Sequence, residues 1–487
     1  MTDQRFLLVE PRAQRAASNI IRMRGPTGTR LNGYDWHTNL SQTIPISSNL
    51  QIESATRVSA WRAAVVAIST SILFFVFYGV AGYFTSLRTD VGTWRYDWER
   101  YIPFIPMMII PYMSIDLFFF AAPFLCHTKS ELQRLAGRLS AVVIIAATCF
   151  ILFPLQLAVE RPHAVGWFGA IYNGFVAMDR PYNLCPSMHI ALRTVLAAHY
   201  GKHCRSIMRW AMNFWFFLIG CSTLLLYQHH FIDVVGGFVL AVLVMYAIDG
   251  LPWRLPKTGG SRFAMLYAGL SLALVLPVFW LPKLGWITLW PAVSTGLVAS
   301  GYAYFGPAVY RRRHGKLTWP ARIVLAPVLW GQWLSWKYYS RQSNMTDSVG
   351  GNVLIGRHMT NPEAKQLIAS GVTAVVDLCN AFSEPVEFAK LNYLSLPVLD
   401  LTAPNEEYMA AAIEFIEEHR QNGQVLVHCK AGYSRSACIV AAWMLHCGKA
   451  RSVDDAVRIL RIARPQIVIR PEIRLALDHW FATKREL

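Results

Sequence analysis

Long apolar segments separated by short basic loops constrain this chain more than any other feature of its sequence. Eight stretches are long enough to cross roughly 30 Å of hydrocarbon if flanking residues are included. They lie near residues 63–84, 102–125, 139–159, 188–200, 210–228, 231–250, 263–281 and 286–306. With 54% hydrophobic and 15% charged residues, the 487-residue chain is too apolar for a pair of soluble domains. The sequence predicts an α-helical polytopic membrane domain over 61–310, after a polar cytoplasmic tail over 1–60.

Charge is divided unevenly along the chain. Residues 1–340 hold 30 Lys and Arg against 13 Asp and Glu, whereas residues 341–487 hold 16 of each. This argues against nucleic-acid binding, which needs a basic face on a folded soluble domain. The loops on one side of the predicted spans carry 13 basic residues and the alternate loops carry six. Because the basic side is normally cytoplasmic, we expect both chain ends inside, in a bacterial inner membrane.

The segment over 317–336 follows the last predicted span. It has the length of a span, but it carries Arg322, Pro320, Pro327 and four Trp residues. We interpret it as an interfacial helix within a basic junction over 311–345. If it crossed the membrane instead, the remaining domain would lie outside the cell.

From Asn352 onward the pattern changes to that of an α/β domain over 346–487. Short β-rich runs lie at 353–355, 372–378, 393–397 and 424–429. Helices are predicted over 405–421 and from a cap at Ser452 to about Arg464. Nine cysteines are scattered without the CxxC spacing of a zinc site, and no metal or other cofactor is expected.

The most specific motif of this domain is VLVHCKAGYSRSA at 425–437, in which a buried strand leads through a loop into an apolar helix. Inward backbone N–H groups at a helix N-terminus form a cradle for phosphate. The same field lowers the pKa of the Cys429 thiol, so that the thiolate attacks. Arg435 suits a bidentate grip on phosphate, and Ser436 can stabilise the departing thiolate. The expected phosphate-binding residues between them are Lys430, Ala431, Gly432, Tyr433 and Ser434.

Asp400 lies 29 residues before the cysteine, just after a predicted strand, and suits the general acid for the leaving alcohol. With the loop, it resembles the dual-specificity branch of the protein tyrosine phosphatase superfamily over residues 350–484. The runs HCKAGYSRS and RPQIVIRP (464–471) look most like the lipid-directed phosphatidylglycerophosphate phosphatases. Lys430 then adds charge for an anionic headgroup, or else it is an inert surface lysine.

Two histidine motifs lie at the predicted outer ends of spans, CPSMH at 185–189 and QHHFID at 228–233. An ionisable side chain at the end of a membrane span is energetically unfavourable, so its presence there suggests a function. Asp233 follows His229 by four residues, so on a helix its carboxylate would orient the ring as a nucleophile requires. His189 would then be the acid toward the leaving oxygen. His230 points about 100° away and is expected to be structural.

These motifs resemble the second and third signatures of the type 2 phosphatidic acid phosphatase superfamily, over about residues 100–250. The resemblance implies that His229 is the nucleophile, that Asp233 orients it, that His189 is the acid and that Ser187 binds phosphate. It also implies a covalent phospho-enzyme formed without a metal.

The chain departs from that superfamily at its cationic positions. The first signature survives only as Arg161-Pro162, and Thr223 stands where the third has Arg. The remaining pattern is closer to the inositol phosphorylceramide synthase-like branch, which transfers headgroup phosphate to an alcohol. Arg161 and Arg180 either face the phosphate or anchor lipid headgroups.

The sequence thus indicates an integral membrane phosphatase with two phospho-enzyme sites. One is a His-based lipid-phosphate hydrolase or phosphotransferase in the membrane, and the other is a Cys-based phosphomonoesterase in the cytoplasm. Phospholipid or lipid phosphate is the expected substrate, and a phosphoprotein is the other partner class. The alternative is a membrane-anchored protein tyrosine/serine phosphatase whose membrane domain is inactive or only binds lipid.

Overall fold

The computed structural model describes residues 58–253, 260–281 and 285–485. Most of the predicted polar tail therefore lies outside the described residues. So do Arg254, Lys257 and Lys283, three of the loop cations used for the predicted orientation.

The first part of the chain is helical, as its long apolar runs predict. Polar caps start several helices: the Thr128 hydroxyl accepts a hydrogen bond from the backbone N–H of Glu131, and Ser187 does the same for Ile190. The helices are α1 (Ala60–Ser86), α2 (Ile109–Ala121), α3 (Lys129–Leu152), α4 (Gly166–Met178), α5 (Met188–His203), α6 (Ser206–Leu225), α7 (Phe231–Ala247), α8 (Ser261–Val275), α9 (Pro277–Trp280) and α10 (Gly285–Ser300).

Four helical segments among the described residues are long and apolar enough to cross a membrane. They are Ala60–Ser86, Pro106–Leu125, Lys129–Leu152 and Ser261–Trp280. Eight spans were predicted, and the other four positions hold less suitable helices. The helices α5, α7 and α10 have 16, 17 and 16 residues, which at 1.5 Å per residue gives about 24–26 Å. The 20-residue α6 includes Arg209 and Asn213.

The junction differs from the single interfacial helix that the sequence predicts. A π-helical turn (Gly301–Phe305) precedes a small hairpin of β1 (Arg312–Arg313) and β2 (Lys316–Leu317). Two helices follow, α11 (Trp319–Val324) and α12 (Ala326–Tyr339). The break falls at Leu325, just before Pro327 in the first turn of α12, because proline favours a helix start and disrupts an interior.

The last part of the chain is an α/β domain with a five-stranded sheet in the order β3-β4-β7-β5-β6. Its strands are β3 (Thr346–Ser348), β4 (Val353–Arg357), β5 (Val372–Asp377), β6 (Asn392–Ser395) and β7 (Gln424–Cys429). All neighbours are parallel except the β3–β4 pair. The helices are α13 (Asn361–Ala369), α14 (Glu406–His419), α15 (Arg435–His446), α16 (Val453–Ala463) and α17 (Pro471–Arg485).

The predicted strands and helices of this domain are confirmed. The side chain of Asn405 caps α14, and Ser452 caps α16, which ends at Ala463, one residue before Arg464. Among the strands, only the short polar β3 was not predicted, because its sequence, TDS, has no apolar alternation. No range was predicted for helices α13 and α17.

The strand β7 and helix α15 form the centre of the domain core. Val425 and Val427 are fully buried on β7, and so is Trp443 on α15. A separate buried cluster includes Tyr246 of α7, Leu325 of the junction and Leu399 of the α/β domain. The α/β domain therefore packs directly against the apolar helices of the first part of the chain.

Candidate active site

The loop between β7 and α15 has a backbone shape that fixes where its N–H groups point. Gly432 has φ of +74°, in the left-handed region that favours glycine. A Cβ atom at this position would lie 2.6 Å from the carbonyl oxygen of Gly356. Because no other residue fits without displacing β4, the loop keeps a tight turn directly over the start of α15.

Cys429 ends β7 at the bottom of this loop and is 2% exposed. Its Sγ lies 3.4 Å from Ser436 Oγ, and the backbone N–H groups of Gly432 and Ser436 also face the sulfur. Burial alone would raise the pKa of the thiol, but the charge of Arg435 and these hydrogen bonds lower it below the usual value. The site therefore favours a thiolate, with the Ser436 hydroxyl placed to stabilise it.

Arg435 begins α15 and is buried beside the thiol. Its Nη1 donates to the carbonyl oxygen of Val398 at 2.6 Å and to Asn380 Oδ1 at 3.1 Å, and its Nη2 pairs with Asp400. Burial lowers the pKa of the guanidinium, but the neighbouring Asp400 and Cys429 raise it more. The side chain is therefore a fixed cation aimed at the place where a phosphate would bind.

Asp400 is held between two cations, Arg435 and Lys430, whose Nζ lies 2.6 Å from Asp400 Oδ2. Burial raises the pKa of the carboxyl, but Arg435 and then Lys430 lower it more, so the net pKa is below its usual value. The residue is therefore a carboxylate in this state. To donate a proton as the predicted general acid, it must first leave this pair.

The sequence left open whether Lys430 is an inert surface lysine, and the structure shows that it is partly buried and paired. Its Nζ also donates to Gln332 Oε1 on α12 at 2.6 Å. On the other side, the hydroxyl of Tyr302 donates to the backbone carbonyl of Asp400 at 2.9 Å. Both partners come from outside the α/β domain and have no local sequence signal, so sequence reasoning missed them.

The RPQIVIRP run supports the loop from behind. Arg464 is fully buried, its Nε donates to the carbonyl oxygen of Gly432 at 2.9 Å, and its Nη1 pairs with Asp347 of β3 at 2.6 Å. The backbone N–H of Val468 donates to the carbonyl of Tyr433 at 2.9 Å. From the sequence, this run is informative only through its family resemblance. In the structure it supports the phosphate loop by hydrogen bonds to the loop backbone. The remaining predicted loop residues that line the cavity over Cys429 are Ala431, Tyr433 and Ser434.

The histidine motif is arranged differently from its prediction. Helix α7 begins at Phe231, so His229 lies outside it and does not share a helical face with Asp233. His229 Nδ1 is 3.7 Å from Asp233 Oδ2, which is beyond a hydrogen bond. That oxygen instead accepts a hydrogen bond from the backbone N–H of His230 at 2.8 Å. The expected orienting bond is thus replaced by a helix cap, because a carboxylate at the third helical position satisfies free N–H groups.

Two ring nitrogens of this region are buried without a hydrogen-bond partner among the described residues, His189 Nε2 and His229 Nδ1. The His189 ring stacks on Tyr112, with centroids 4.1 Å apart. His230 is structural, as predicted: its Nδ1 contacts Glu99 at 2.8 Å, and its Nε2 accepts from the backbone N–H of Ala158.

The predicted phosphate-binding residues of this region contact other groups. Ser187 caps α5. Arg161 pairs with Asp179 at 2.8 Å, and Arg180 donates to Ser86 Oγ at 2.7 Å. Two unpredicted cations instead line a cavity of about 190 Å³ together with His229 and His230, namely Arg95 and Arg100.

One buried group with metal-binding distances lies next to the catalytic strand, formed by Asp377, Glu384 and His428. Arg312 already pairs with Asp377 at 2.8 Å and lies 3.8 Å from Glu384. A protein cation therefore already pairs with these carboxylates, and the cluster fits a structural ion network better than a metal centre.

Comparison with known proteins places the family of the α/β domain. Residues 354–481 match the family model of the dual specificity phosphatase catalytic domain. The chain is 38% identical over 96 residues to human phosphatidylglycerophosphatase and protein-tyrosine phosphatase 1, covering 19% of this chain and 47% of that protein. It is 26% identical over 166 residues to the Arabidopsis thaliana phosphatidylglycerophosphate phosphatase PTPMT2, covering 33% of this chain and 72% of that protein.

A third relative matches over a smaller share of its length. The tyrosine-protein phosphatase CDC14 homolog of Schizosaccharomyces pombe is 34% identical over 83 residues, which is 17% of this chain and 14% of that protein. The chain thus spans well under two thirds of this relative and of the human one. The family match lies within the α/β domain, so the resemblance of the preceding helices to the type 2 phosphatidic acid phosphatases rests on the quoted residues alone. Residues 354–481 form a dual specificity phosphatase catalytic domain.

Proposed function

We propose that this chain is an integral membrane phosphomonoesterase whose cysteine site removes the terminal phosphate from phospholipid headgroups. The observation that carries the proposal is the cluster of Cys429, Arg435, Asp400 and Lys430. Tyr302 donates to the Asp400 carbonyl and Gln332 accepts from Lys430, so residues from outside the α/β domain complete the site. Two relatives whose names include phosphatidylglycerophosphatase or phosphatidylglycerophosphate phosphatase activity support a lipid substrate.

In the first step, the Cys429 thiolate attacks phosphorus while Arg435 and the loop N–H groups hold the phosphate oxygens. The sulfur–phosphorus bond forms and the bond to the leaving oxygen breaks. Asp400 donates its proton to that oxygen, so the product leaves as an alcohol.

In the second step, water attacks the phosphocysteine. Asp400, now a carboxylate, accepts a proton from the water as the new phosphorus–oxygen bond forms. The sulfur–phosphorus bond breaks, and the Ser436 hydroxyl, 3.4 Å from the sulfur, stabilises the returning thiolate. Inorganic phosphate then leaves.

Substrate binding itself supplies the protonated acid that the first step requires. A bound phosphate dianion competes with Asp400 for Arg435, the first of the two cations that lower the pKa of the carboxyl. Once Arg435 pairs with phosphate and a second negative charge lies nearby, the pKa of Asp400 rises. The ion pair between Asp400 and Arg435 is thus consistent with the acid role.

A substrate panel tests this proposal with the full chain in detergent. We expect wild type to release phosphate from phosphatidylglycerophosphate faster than from phosphotyrosine or phosphoserine peptides, and the Cys429→Ser variant in a His229→Ala background to release none. Faster turnover of the peptides, also lost in Cys429→Ser, would favour the membrane-anchored protein phosphatase instead.

We also propose the histidine region as a second site for lipid-phosphate hydrolysis or transfer. The observation that favours it is the pair of buried, unpartnered nitrogens on His189 and His229, next to a cavity that also holds Arg95 and Arg100. In the Cys429→Ser background, loss of residual phosphatidate hydrolysis or headgroup transfer on His229→Ala would support it. No residual activity before that substitution would contradict it.

We further propose that the cysteine site faces the cytoplasm of a bacterial cell, with the membrane part in the inner membrane. The basic loop residues support this orientation. A membrane-impermeant thiol reagent applied to intact cells should spare Cys429 and reach it only after permeabilisation. Equal labelling without permeabilisation would place the site outside.

A further inference from the structure

The catalytic cysteine opens into a cavity of about 810 Å³ whose walls belong to two parts of the chain. The polar end is the phosphate loop with Lys430, Arg435 and, on the far rim, Arg470. The other walls come from α8, α10 and α12, outside the dual specificity phosphatase catalytic domain. The substrate site is therefore incomplete in the α/β domain alone.

One face of α8 lines this cavity along most of the helix. Phe263, Leu266, Tyr267, Leu270 and Leu274 recur every three or four residues, which places them on one face. From Phe263 to Leu274 the face extends about 16 Å at 1.5 Å per residue. The cavity thus continues from the phosphate loop along an apolar wall.

This wall belongs to a helix that the protein leaves uncovered. The segment Ser261–Trp280 is one of the four that are long and apolar enough to cross a membrane, and only 6% of its most apolar window is buried. Leu266 is 66% exposed and Leu270 is 47% exposed. Since large apolar surface left open in this way marks a membrane or ligand site, something apolar must cover it in use.

The α8 face contacts the catalytic residues through Tyr302. Tyr267 stacks on Tyr302 with centroids 5.7 Å apart, and Tyr302 donates the hydrogen bond to the Asp400 carbonyl. Gln332 of α12 lines the same cavity and holds Lys430. A ligand group packed on the α8 face would therefore be separated from Asp400 by a single residue, Tyr302.

We propose that this cavity binds the acyl chains of a lipid phosphomonoester, which enters sideways from the bilayer along α8 while its phosphate reaches Cys429. The inference rests on the proposed phosphomonoesterase function of the cysteine site. A lipid phosphomonoester fits both ends of this cavity. Its anionic headgroup would pair with Lys430 and Arg435, and its acyl chains would pack against the leucines of α8. A phosphopeptide would leave backbone polar groups unpaired against that wall.

Leu270→Gln tests the inference, with Leu272→Gln as the matched control. Leu272 is on the same helix, 70% exposed, and is not among the residues that line the cavity. Both variants are made in the full chain in a His229→Ala background, so that only the cysteine site contributes. Activity is measured on dioleoyl phosphatidic acid, dihexanoyl phosphatidic acid and an aryl phosphate.

We expect Leu270→Gln to lower kcat/KM for the dioleoyl lipid about tenfold, because a polar group in the wall opposes burial of the acyl chain. The aryl phosphate should change less than about twofold, and Leu272→Gln should leave all substrates unchanged. Equal effects of the two substitutions on the dioleoyl lipid would overturn the inference.

A second variant keeps the test independent of polar substitution in an apolar helix. Leu274→Trp fills the far end of the cavity, so the dioleoyl lipid should lose more activity than the dihexanoyl lipid. Identical losses for both lipids would contradict the acyl-chain site. Failure of the proposed function is separate, since it would show as aryl phosphate turnover that survives Cys429→Ser.

Discussion

The cysteine site and the histidine site lie at opposite ends of α7 and differ in how completely their groups are paired. His229 precedes the first turn of α7, whereas Tyr246 in its last turn shares a buried cluster with Leu399, the neighbour of Asp400 in the cysteine site. The 17 residues of α7 separate these ends by about 26 Å. The two cations of the cysteine site, Arg435 and Lys430, are both paired, while His189 Nε2 and His229 Nδ1 have no partner among the described residues.

The difference reflects how each site is assembled. Cys429, Gly432 and Arg435 lie within seven residues, so one strand, one loop and one helix fix their geometry. The histidine site needs side chains from α5, the α6–α7 loop and the segment around Arg95, and its expected orienting carboxylate caps a helix instead. A local motif therefore predicts geometry better than separated signatures do.

The largest expected effect comes from Cys429→Ser in the full chain. A serine hydroxyl stays protonated where the thiol ionises, so aryl phosphate turnover should fall about 10³-fold or more with little change in volume. His229→Ala should retain most of that turnover. Aryl phosphate turnover that is lost in His229→Ala and survives in Cys429→Ser would show that the histidine site, not the cysteine site, hydrolyses this substrate. Circular dichroism of each variant controls for folding.

Asp400→Asn should give the next largest effect, and the effect should depend on the substrate. Turnover of alkyl phosphates should fall about 10²-fold, because a poor leaving group needs a proton at the departing oxygen. Aryl phosphates should lose much less in the bond-breaking step, which burst kinetics isolate. Equal losses for both leaving groups would move the acid elsewhere, with Glu406 and Glu407 at the start of α14 as the next candidates.

The lowered pKa of Cys429 predicts selective alkylation. A thiol with a pKa below its usual value stays ionised as the pH falls below about 8.5, and it protonates only when the pH passes the lowered pKa. Iodoacetamide near neutral pH should modify Cys429 about tenfold faster than Cys438, because burial raises the pKa of Cys438 to about 12. Bound phosphate should protect Cys429. An alkylation rate that rises only above pH 8.5 would contradict the thiolate.

Tyr302→Phe should have the smallest effect, because it removes one hydrogen bond to the Asp400 carbonyl. Loss of such a bond is worth about 1 kcal/mol, so alkyl phosphate turnover should fall about fivefold, with less change for aryl phosphates. Tyr304→Phe is the matched control, since Tyr304 is 62% exposed in the same π-helical turn. Equal effects of the two substitutions would show that Tyr302 does not position Asp400.

The strands and helices of the phosphatase domain could be predicted from sequence because their apolar periods and caps are local. Asn405 and Ser452 mark helix starts by side-chain chemistry alone. The lengths of the helices in the first part of the chain could not be predicted, because hydropathy does not show where a helix ends. Helix α5, for example, is 16 residues long and starts at the Ser187 cap.

The catalytic loop could also be predicted, but its supports could not. Lys430 and Gln332 are 98 residues apart, and so are Tyr302 and Asp400. Glutamine and tyrosine in apolar helices carry no signal of such a contact. The ion pair that holds Asp400 as a carboxylate depends on the same three-dimensional placement. Long-range polar contacts of this kind decide the state of the site, and they become visible only in the fold.

Trapping the phospho-enzyme tests most directly the claim that Cys429 is the nucleophile toward lipid phosphate. The wild-type full chain is mixed with phosphatidylglycerophosphate radiolabelled in its terminal phosphate, quenched within the first turnover and digested, and the labelled peptide is identified by mass spectrometry. The account predicts label on the peptide containing Cys429, because the thiolate forms a phosphocysteine before water attacks. Label on the peptide containing His229, with none on Cys429, would contradict it.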